Sequence, residues 1–302
     1  MFEFDFNSLD IWKFQASAIS FLIILLLFIS LRLLKGFIAN VSTSDEIAEK
    51  DNAAFGVSFA GGITALAIML TGASSGEYAD SMLQDAISML VFGAIGLVMI
   101  TIGRFIQDKV VMRNVAILEE IKKGNLAAAF VDIGNVIAVG IVIRASMIWV
   151  ETEGWIAIPI IFAAFIVSQV VLVGGAIYRI NLFKSRNNGS DCNCMQQALE
   201  DGNHALGIRY AGYMIGLSLA ITAASGMVAY SAENIIGCVI SWAIAALVFS
   251  IAFMVFVAVA RMAILPGIKV SDEVDKQKNA SVGVIEAAIA VAIGLTFVSL
   301  FG

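Results

Sequence analysis

The sequence predicts an all-α integral membrane protein with eight transmembrane helices. Of its 302 residues, 60% are hydrophobic and 14% are charged, and the mean hydropathy is +0.93. Soluble domains contain roughly 45–50% apolar and ~25% charged residues. The excess lies in eight apolar stretches, each long enough for the ~20 residues that a helix needs to cross a bilayer. These stretches are residues 17–38, 53–73, 86–106, 126–149, 155–178, 203–229, 234–262 and 279–301.

The distribution of lysine and arginine predicts the orientation in the membrane. The loops after the first, third, fifth and seventh stretches are basic, whereas the opposite side has Lys13 alone. The positive-inside rule places these basic loops in the cytoplasm of a bacterial inner membrane, with both termini on the outer side. The lipid bilayer is therefore the expected partner. A basic inner face is typical of such proteins, so it does not predict nucleic-acid binding.

A four-fold repeat of one helical hairpin is the most informative pattern in the chain. The chain is predicted to be one membrane domain, residues 1–302, with repeats at 15–74, 85–150, 155–230 and 234–302. The first helix of each hairpin ends with an arginine, and the second begins with an asparagine about twenty residues later. The arginines are Arg32, Arg104, Arg179 and Arg261, and the asparagines are Asn52, Asn125, Asn203 and Asn279.

Small residues recur at fixed distances after each asparagine. Position four holds Gly56, Ala129, Gly207 or Gly283, and positions two and nine are also small. Small residues let transmembrane helices approach closely. We therefore expect the second helices to lie in the middle of the bundle and the first helices outside them, with an approximate two-fold or four-fold axis along the membrane normal. The asparagines themselves are typical helix N-caps.

Four charged residues fall within the apolar stretches, where burial of a charge costs roughly 2.5–3.5 kcal/mol. They are Asp132, Arg144, Arg209 and Glu286. Asp132 and Glu286 share one repeat position, seven residues after the asparagine, and Arg209 lies one position earlier in its repeat. The two acids could bind a cation or share a proton. Alternatively, Arg209 neutralises one of them in a structural ion pair.

Arg144 has a different expected environment. It lies about 18 Å along its helix from Asp132. We expect it to reach the outer interface or to meet Glu151 or Glu153, so it is a weaker candidate for a counter-charge.

No enzyme, metal or cofactor signature is present in the sequence. The chain has one histidine, and it lacks the HExxH, GxSxG and P-loop motifs. Cys192, Cys194 and His204 do not match a zinc-ligand spacing. We expect a protein that is not an enzyme and that binds neither a metal nor a cofactor.

The run Asn-x-Ala-x-Gly, repeated and followed by small residues, resembles the bacterial membrane family called domain of unknown function 350. The matching runs are 52–56, 203–207 and 279–283, and 125–129 is a weaker match because Ala129 replaces the glycine. The resemblance covers nearly the whole chain. It implies a small inner-membrane protein with repeated two-helix units, and it supplies no catalytic residues.

Two functional hypotheses follow from these patterns. The first is a cation or proton channel or transporter that uses Asp132 and Glu286, with Arg209 as counter-charge. The second is a non-catalytic scaffold that recruits cytoplasmic protein partners through the basic loops around 107–125 and 184–202, which would extend the helices into the cytoplasm. A homo-oligomer is compatible with either hypothesis, since small-residue faces can pack within a chain or between chains.

Overall fold

The computed structural model describes residues 11–74, 81–150, 155–188 and 194–302, and within these ranges it is helical and contains no strand. Eight helices are long and apolar enough to cross a membrane, which confirms the predicted fold class. They are α1 (Ile11–Ala39), α2 (Ala53–Ala73), α3 (Met82–Ile106), α5 (Leu126–Trp149), α6 (Ala157–Arg186), α8 (His204–Thr222), α10 (Ile235–Ile264) and α11 (Ala280–Phe301).

Short helical segments connect these long helices at the end of the bundle that carries the basic loops, which we call the basic end. They are α4 (Ile117–Lys122), α7 (Met195–Glu200) and the π-helical turns Asp45–Glu49, Gln107–Val111 and Ser271–Lys276. A further short helix, α9 (Ala224–Met227), lies at the opposite end. The turn Gln107–Val111 continues α3 without a break, as the sequence had suggested for the segment around 107–125. The short helices α4 and α7 do not extend the long helices and instead pack on α5, with Ile117, Ile121 and Leu199 buried.

Each asparagine of the repeat caps the helix that follows it. The side-chain oxygen of Asn52 accepts a hydrogen bond from the backbone N–H of Phe55 at 3.0 Å. Asn125, Asn203 and Asn279 do the same at the starts of α5, α8 and α11. A helix start leaves backbone N–H groups without partners, and an asparagine oxygen satisfies one or two of them.

The second helices of the hairpins form a continuous row in the order α2, α5, α8 and α11, and each packs extensively on its neighbour. The contacts are between backbones. A Cβ on Gly134 would lie 2.3 Å from the Cα of Ala211, and a Cβ on Gly212 would lie 2.3 Å from the Cα of Ala287. Any side chain larger than hydrogen is therefore excluded at both glycines. The small residues of the repeat create this row.

The first helices of the hairpins pack along the row. Helices α1 and α3 contact α2, and α3 also contacts α5, while α6 and α10 both contact α8. Their outward faces carry large apolar residues such as Phe21, Leu25 and Ile240, which suit lipid contact. The middle of the bundle is formed by two of the second helices, α5 and α8, whose spans are 72% and 83% buried. The second helix α11, by contrast, is 28% buried, which is less than the first helices α3 and α6 at 39% and 50%.

The row does not close on itself. Helices α2 and α11 lie at its two ends and do not pack on each other. The expected four-fold axis is therefore wrong, because a closed four-fold arrangement would require α11 to pack on α2 as α5 does. Each hairpin is instead displaced along the row relative to the hairpin before it.

Candidate functional site

Each intramembrane acid pairs with the arginine that ends the preceding first helix of its own repeat. Arg104 donates two hydrogen bonds to Asp132, from Nε to Oδ1 at 2.8 Å and from Nη2 to Oδ2 at 3.2 Å. Nη1 of Arg261 lies 3.7 Å from Oε1 of Glu286. A buried carboxylate requires such pairing, because an isolated charge in an apolar environment is costly. Both arginines are therefore more than the interfacial anchors that the positive-inside pattern predicts.

A second partner reaches each acid from the preceding repeat, at the position six residues after the asparagine. In the second half of the chain this residue is Arg209, whose Nε contacts Oε2 of Glu286. In the first half it is Ser58, whose hydroxyl donates to Oδ2 of Asp132 and accepts a 2.5 Å hydrogen bond from the ammonium of Lys35. The two halves thus contain equivalent clusters, built with different cations.

The row separates the two acids. Asp132 is on α5 and Glu286 is on α11, and α8 lies between these helices. Arg209, on α8, pairs with Glu286 and Asp275, whereas Asp132 is held by Arg104. The acids therefore do not form the proton-sharing carboxylate pair considered from the sequence. Each one is neutralised within its own cluster.

Asp275 is a site residue that the sequence reasoning missed. Its Oδ1 accepts from Nη1 of Arg209 at 3.1 Å, and its Oδ2 accepts from the side chain of Asn187 at 3.2 Å. Burial raises the pKa of Asp275, and the nearby Arg209 opposes that shift. Among the three acids of Ser271–Lys276, it is Glu273 and not Asp275 that accepts from Asn279.

A cavity of about 140 Å³ lies beside the cluster of the second half, and we call it the arginine cavity. Its charged lining residues are Arg179, Arg186, Arg209, Arg261 and Glu286. Asp275 lies behind Arg209, in a small adjoining pocket lined by Arg179, Arg186 and Arg209. Four guanidinium groups thus face two carboxylates, which leaves a formal excess of two positive charges. Within the described residues, neither Arg179 nor Arg186 has an acidic partner.

Two donors at the arginine cavity lack acceptors. The hydroxyl of Tyr213 and Nη2 of Arg209 are buried, and neither has a hydrogen-bond partner among the described residues. Both residues line the cavity. The guanidinium of Arg179 lies over the ring of Tyr213, 4.8 Å from its centroid. Unpaired buried donors cost about 1–3 kcal/mol each, so a bound acceptor group would stabilise this arrangement.

A second, wider cavity lies on the side of the arginine cavity that faces the basic end. It has a volume of about 530 Å³ and is lined by the loop after α10, residues 265–271, which includes Lys269. Arg186 and Arg261 line both cavities. The two cavities are therefore neighbours, and both are lined by cationic side chains.

The cluster of the first half is balanced in charge and more apolar. A cavity of about 240 Å³ beside it is lined by two cations, Lys35 and Arg104, and by two acids, Asp108 and Asp132. Its remaining lining residues are mostly apolar, such as Phe105 and Leu118. The two halves therefore differ in chemistry despite their common plan, and only the second has an excess of positive charge.

The other candidate residues lie outside these clusters. Nε of Arg144 donates to the hydroxyl of Thr71 at 2.9 Å, near the opposite end of the bundle, so it is not a counter-charge to either acid. Its expected partners, Glu151 and Glu153, lie outside the described residues, as does Cys192. The described part of the chain contains no group of three or more residues suited to hold a metal ion.

The motif residues hold successive repeats together. The amide nitrogen of Asn52 donates to the carbonyls of Ile121 and Lys122, just before the next repeat's asparagine. Asn125 and Asn203 make the equivalent bonds to their following repeats. A Cβ on Gly207 or on Gly283 would lie 2.6 Å from a backbone oxygen of the preceding second helix, whereas a Cβ on Gly56 would meet nothing within 4 Å.

The fold and its clusters define a multi-pass α-helical membrane protein built from four internal repeats around buried ion pairs. The family model described as Domain of Unknown Function (DUF350) matches residues 8–147, 80–190 and 157–301, and the chain belongs to this family. The overlapping matches agree with the internal repetition. Searches among curated proteins and among solved structures found no match to the chain.

Proposed function

We propose that this protein binds a small oxyanion, of the phosphate type, in the arginine cavity. The observation that carries the proposal is the excess of guanidinium groups around one buried space. Planar guanidinium groups match the oxygens of phosphate and bind them with two hydrogen bonds each. Tyr213 and Nη2 of Arg209 supply two further donors without partners.

The geometry favours an anion over the cation expected from the sequence. A cation site needs carboxylate oxygens that are free to coordinate, but Asp132 accepts from Arg104, and Glu286 is ion-paired with Arg209 and Arg261. A cation near Glu286 would also meet the field of four arginines. The proposal retains transport, but the transported ion is an anion and not a cation.

The proposed setting is a bacterial inner membrane with the basic end in the cytoplasm and both termini outside. The positive-inside distribution of lysine and arginine supports this orientation. The wider cavity with Lys269 would then open toward the cytoplasm, where phosphate-bearing solutes and the headgroups of anionic lipids are both available. An enzymatic reporter that is active only outside the cytoplasm, fused after Gly302, tests the orientation, and an inactive fusion contradicts it.

The alternative of a scaffold for cytoplasmic proteins has less support. It depends on exposed loop segments, yet α4 and α7 bury apolar residues against the helix row. Loss of a captured partner on deletion of residues 184–202, in a chain that still folds, would favour the scaffold.

Binding is tested by thermal unfolding of the purified protein in detergent. A ligand that binds only the native state raises the unfolding midpoint. We expect inorganic phosphate to raise it more than chloride does at equal ionic strength. The variants Arg186→Gln and Tyr213→Phe should weaken the effect about tenfold and about fivefold in apparent affinity, since each removes one donor group. Lys184→Gln, an exposed neighbour outside the cavity, is the matched control.

Two further experiments identify the source of the anion and test the transport step. Stabilisation by dioctanoyl phosphatidylglycerol, but not by inorganic phosphate, would identify a lipid headgroup as the ligand. Phosphate uptake into proteoliposomes that is lost in Arg186→Gln would identify a transporter. A cation flux that is lost in the combined variant Asp132→Asn and Glu286→Gln, with no anion effect, would overturn the proposal in favour of the cation hypothesis.

A further inference from the structure

Three internal interfaces obey one rule of register. Positions are counted from each repeat's asparagine. Position four of one repeat meets position two of the preceding repeat, as in Gly207 against Ala127 and Gly283 against Ala205. Position nine meets position eight of the next repeat, as in Gly134 against Ala211. Position fifteen meets position thirteen of the preceding repeat, as shown by the pairs Gly140 with Ala65 and Gly294 with Gly216.

Each second helix therefore has two interface faces. The leading face, at positions two, nine and thirteen, contacts the next repeat. The trailing face, at positions four, eight and fifteen, contacts the preceding repeat. Because the row is open, the trailing face of α2 and the leading face of α11 have no partner within the chain.

The unpartnered trailing face of α2 is made of small residues. It consists of Gly56, Ala60 and Ala67, and Ala60 and Ala67 are exposed. A lipid-facing surface would be expected to carry large apolar side chains, as α1 and α10 do with Phe21, Leu25 and Ile240. Helix α2 instead keeps the composition of a helix contact.

The unpartnered leading face of α11 has the same character. It consists of Ser281, Ala288 and Ala292, all of which are exposed. Ile285, at position six, lies on the same side of α11, as Ser58 and Arg209 do in their helices, and it is also exposed. The two end faces therefore complement each other by the register rule, since each has the small residues that its counterpart needs.

Asn279 provides a second, independent observation. The amide nitrogens of Asn52, Asn125 and Asn203 each donate to two backbone carbonyls of the next repeat. Asn279 has no next repeat, and among the described residues its amide nitrogen donates only to its own Glu273. At the end of the row, the amide nitrogen of Asn279 is therefore available to donate to a backbone carbonyl.

We propose that α11 of one copy packs on α2 of a second copy in the register of the internal interfaces, so that the helix row continues from chain to chain. The rule pairs Ser281 with Gly56, Ala288 with Ala60, and Ala292 with Ala67 across the contact. Asn279 of one copy then donates to the carbonyls of Ile47 and Ala48 in the second copy, the counterparts of Val274 and Asp275. The contact joins unlike surfaces, so it is a heterologous interface.

Disulfide crosslinking in native membranes tests the proposed pairing. The background replaces Cys192, Cys194 and Cys238 with serine, and the test variant adds Ala60→Cys and Ala288→Cys. Oxidation with copper phenanthroline should give dimers and higher multiples of the chain. Each single variant should give almost no crosslinked product, because a heterologous contact does not bring a residue close to the same residue of the second copy. Ala60→Cys combined with Leu300→Cys is the control, because Leu300 is exposed but lies about 18 Å farther along α11 than Ala288.

Two results would overturn the proposal. One is equal crosslinking in the test variant, the single variants and the control, which would indicate random collision or a symmetric dimer. The other is no crosslinking in a test variant that is folded and inserted. The substitution Gly56→Leu supplies a complementary test, because a Cβ there meets nothing within the chain. It should leave thermal unfolding of the monomer unchanged and reduce crosslinking about tenfold.

Discussion

Ser58 and Arg209 occupy the same position of their repeats, and each contacts the acid of the repeat that follows. Arg209 brings its own charge to Glu286, whereas Ser58 relays the charge of Lys35 to Asp132 through one hydroxyl. The same site in the repeat is therefore filled either by a cation or by a hydroxyl that holds a cation. Each cluster thus receives one positive charge at this position, and the excess charge of the second cluster comes from Arg179 and Arg186.

Replacing Ser58 with alanine should destabilise the protein by about 1–3 kcal/mol. The change leaves Lys35 and Asp132 without the hydroxyl that joins them, and unsatisfied buried polar groups carry a cost of this size. Thermal unfolding in detergent measures the effect. Ser30→Ala is the control, because the hydroxyl of Ser30 is exposed and bonds only to its own helix, at Leu26. Equal losses in the two variants would contradict the relay.

Breaking the pair of Arg104 and Asp132 should cost more than replacing both partners. Removal of one member leaves a buried charge without compensation, at about 3–5 kcal/mol, whereas a neutral pair avoids that charge. A double-mutant cycle with Arg104→Gln and Asp132→Asn measures the coupling through unfolding midpoints. Additive losses would indicate that the two side chains do not interact in the native state.

The closest helix contacts predict a sharp contrast between two glycines. Gly134→Ala should destabilise the protein by about 1–3 kcal/mol or prevent its folding, because the new Cβ overlaps the backbone of Ala211. Gly174→Ala, on α6, should have little effect, since a Cβ there meets nothing within 4 Å. Expression, solubilisation yield and unfolding midpoint of the two variants provide the comparison.

Acidification should destabilise the segment that precedes α5, which contains Glu120. The hydrogen bond from Lys123 holds the pKa of Glu120 below its usual value of 4.5, and Glu120 also accepts from Asn125. Because the folded pKa is the lower one, this contribution to stability is fully present above about pH 4.5 and is lost as the pH falls through the folded value.

The variant Glu120→Gln isolates that contribution. It should have a lower unfolding midpoint than the wild type near neutral pH, and the difference should shrink toward about pH 3. Glu119→Gln, at an exposed neighbouring side chain, is the control. A difference that stays constant with pH would assign the effect to packing and not to charge.

The eight helices, the capping asparagines and the place of the two acids within apolar helices could be predicted from the sequence because they depend on local composition and on a repeated register. The partners of the acids could not. Arg104 has the position of an ordinary interfacial anchor, and nothing in the local sequence distinguishes it from Arg32, which bonds to the hydroxyl of Ser44. Which helix lies beside which is decided by the order of the row.

The charged lining of the arginine cavity could not be predicted from the sequence for the same reason. Arg179 and Arg186 lie on α6 and Arg261 lies on α10, far along the chain, and each one alone fits the positive-inside pattern. Asp275 was hidden by a local ambiguity, because Ser271–Lys276 contains three acids where the repeat needs one. Only packing assigns Glu273 to the asparagine and Asp275 to Arg209.

The asparagine bridges also bear on how the protein enters the membrane. A hairpin inserted during synthesis has a capped second helix but an amide nitrogen that still lacks carbonyl partners. The next hairpin supplies them as it arrives, in the way that Val274 and Asp275 do for Asn203. Each added unit thus supplies the carbonyl partners of the one before it, so a partial chain that stops at any repeat boundary has the same exposed asparagine edge as the full chain.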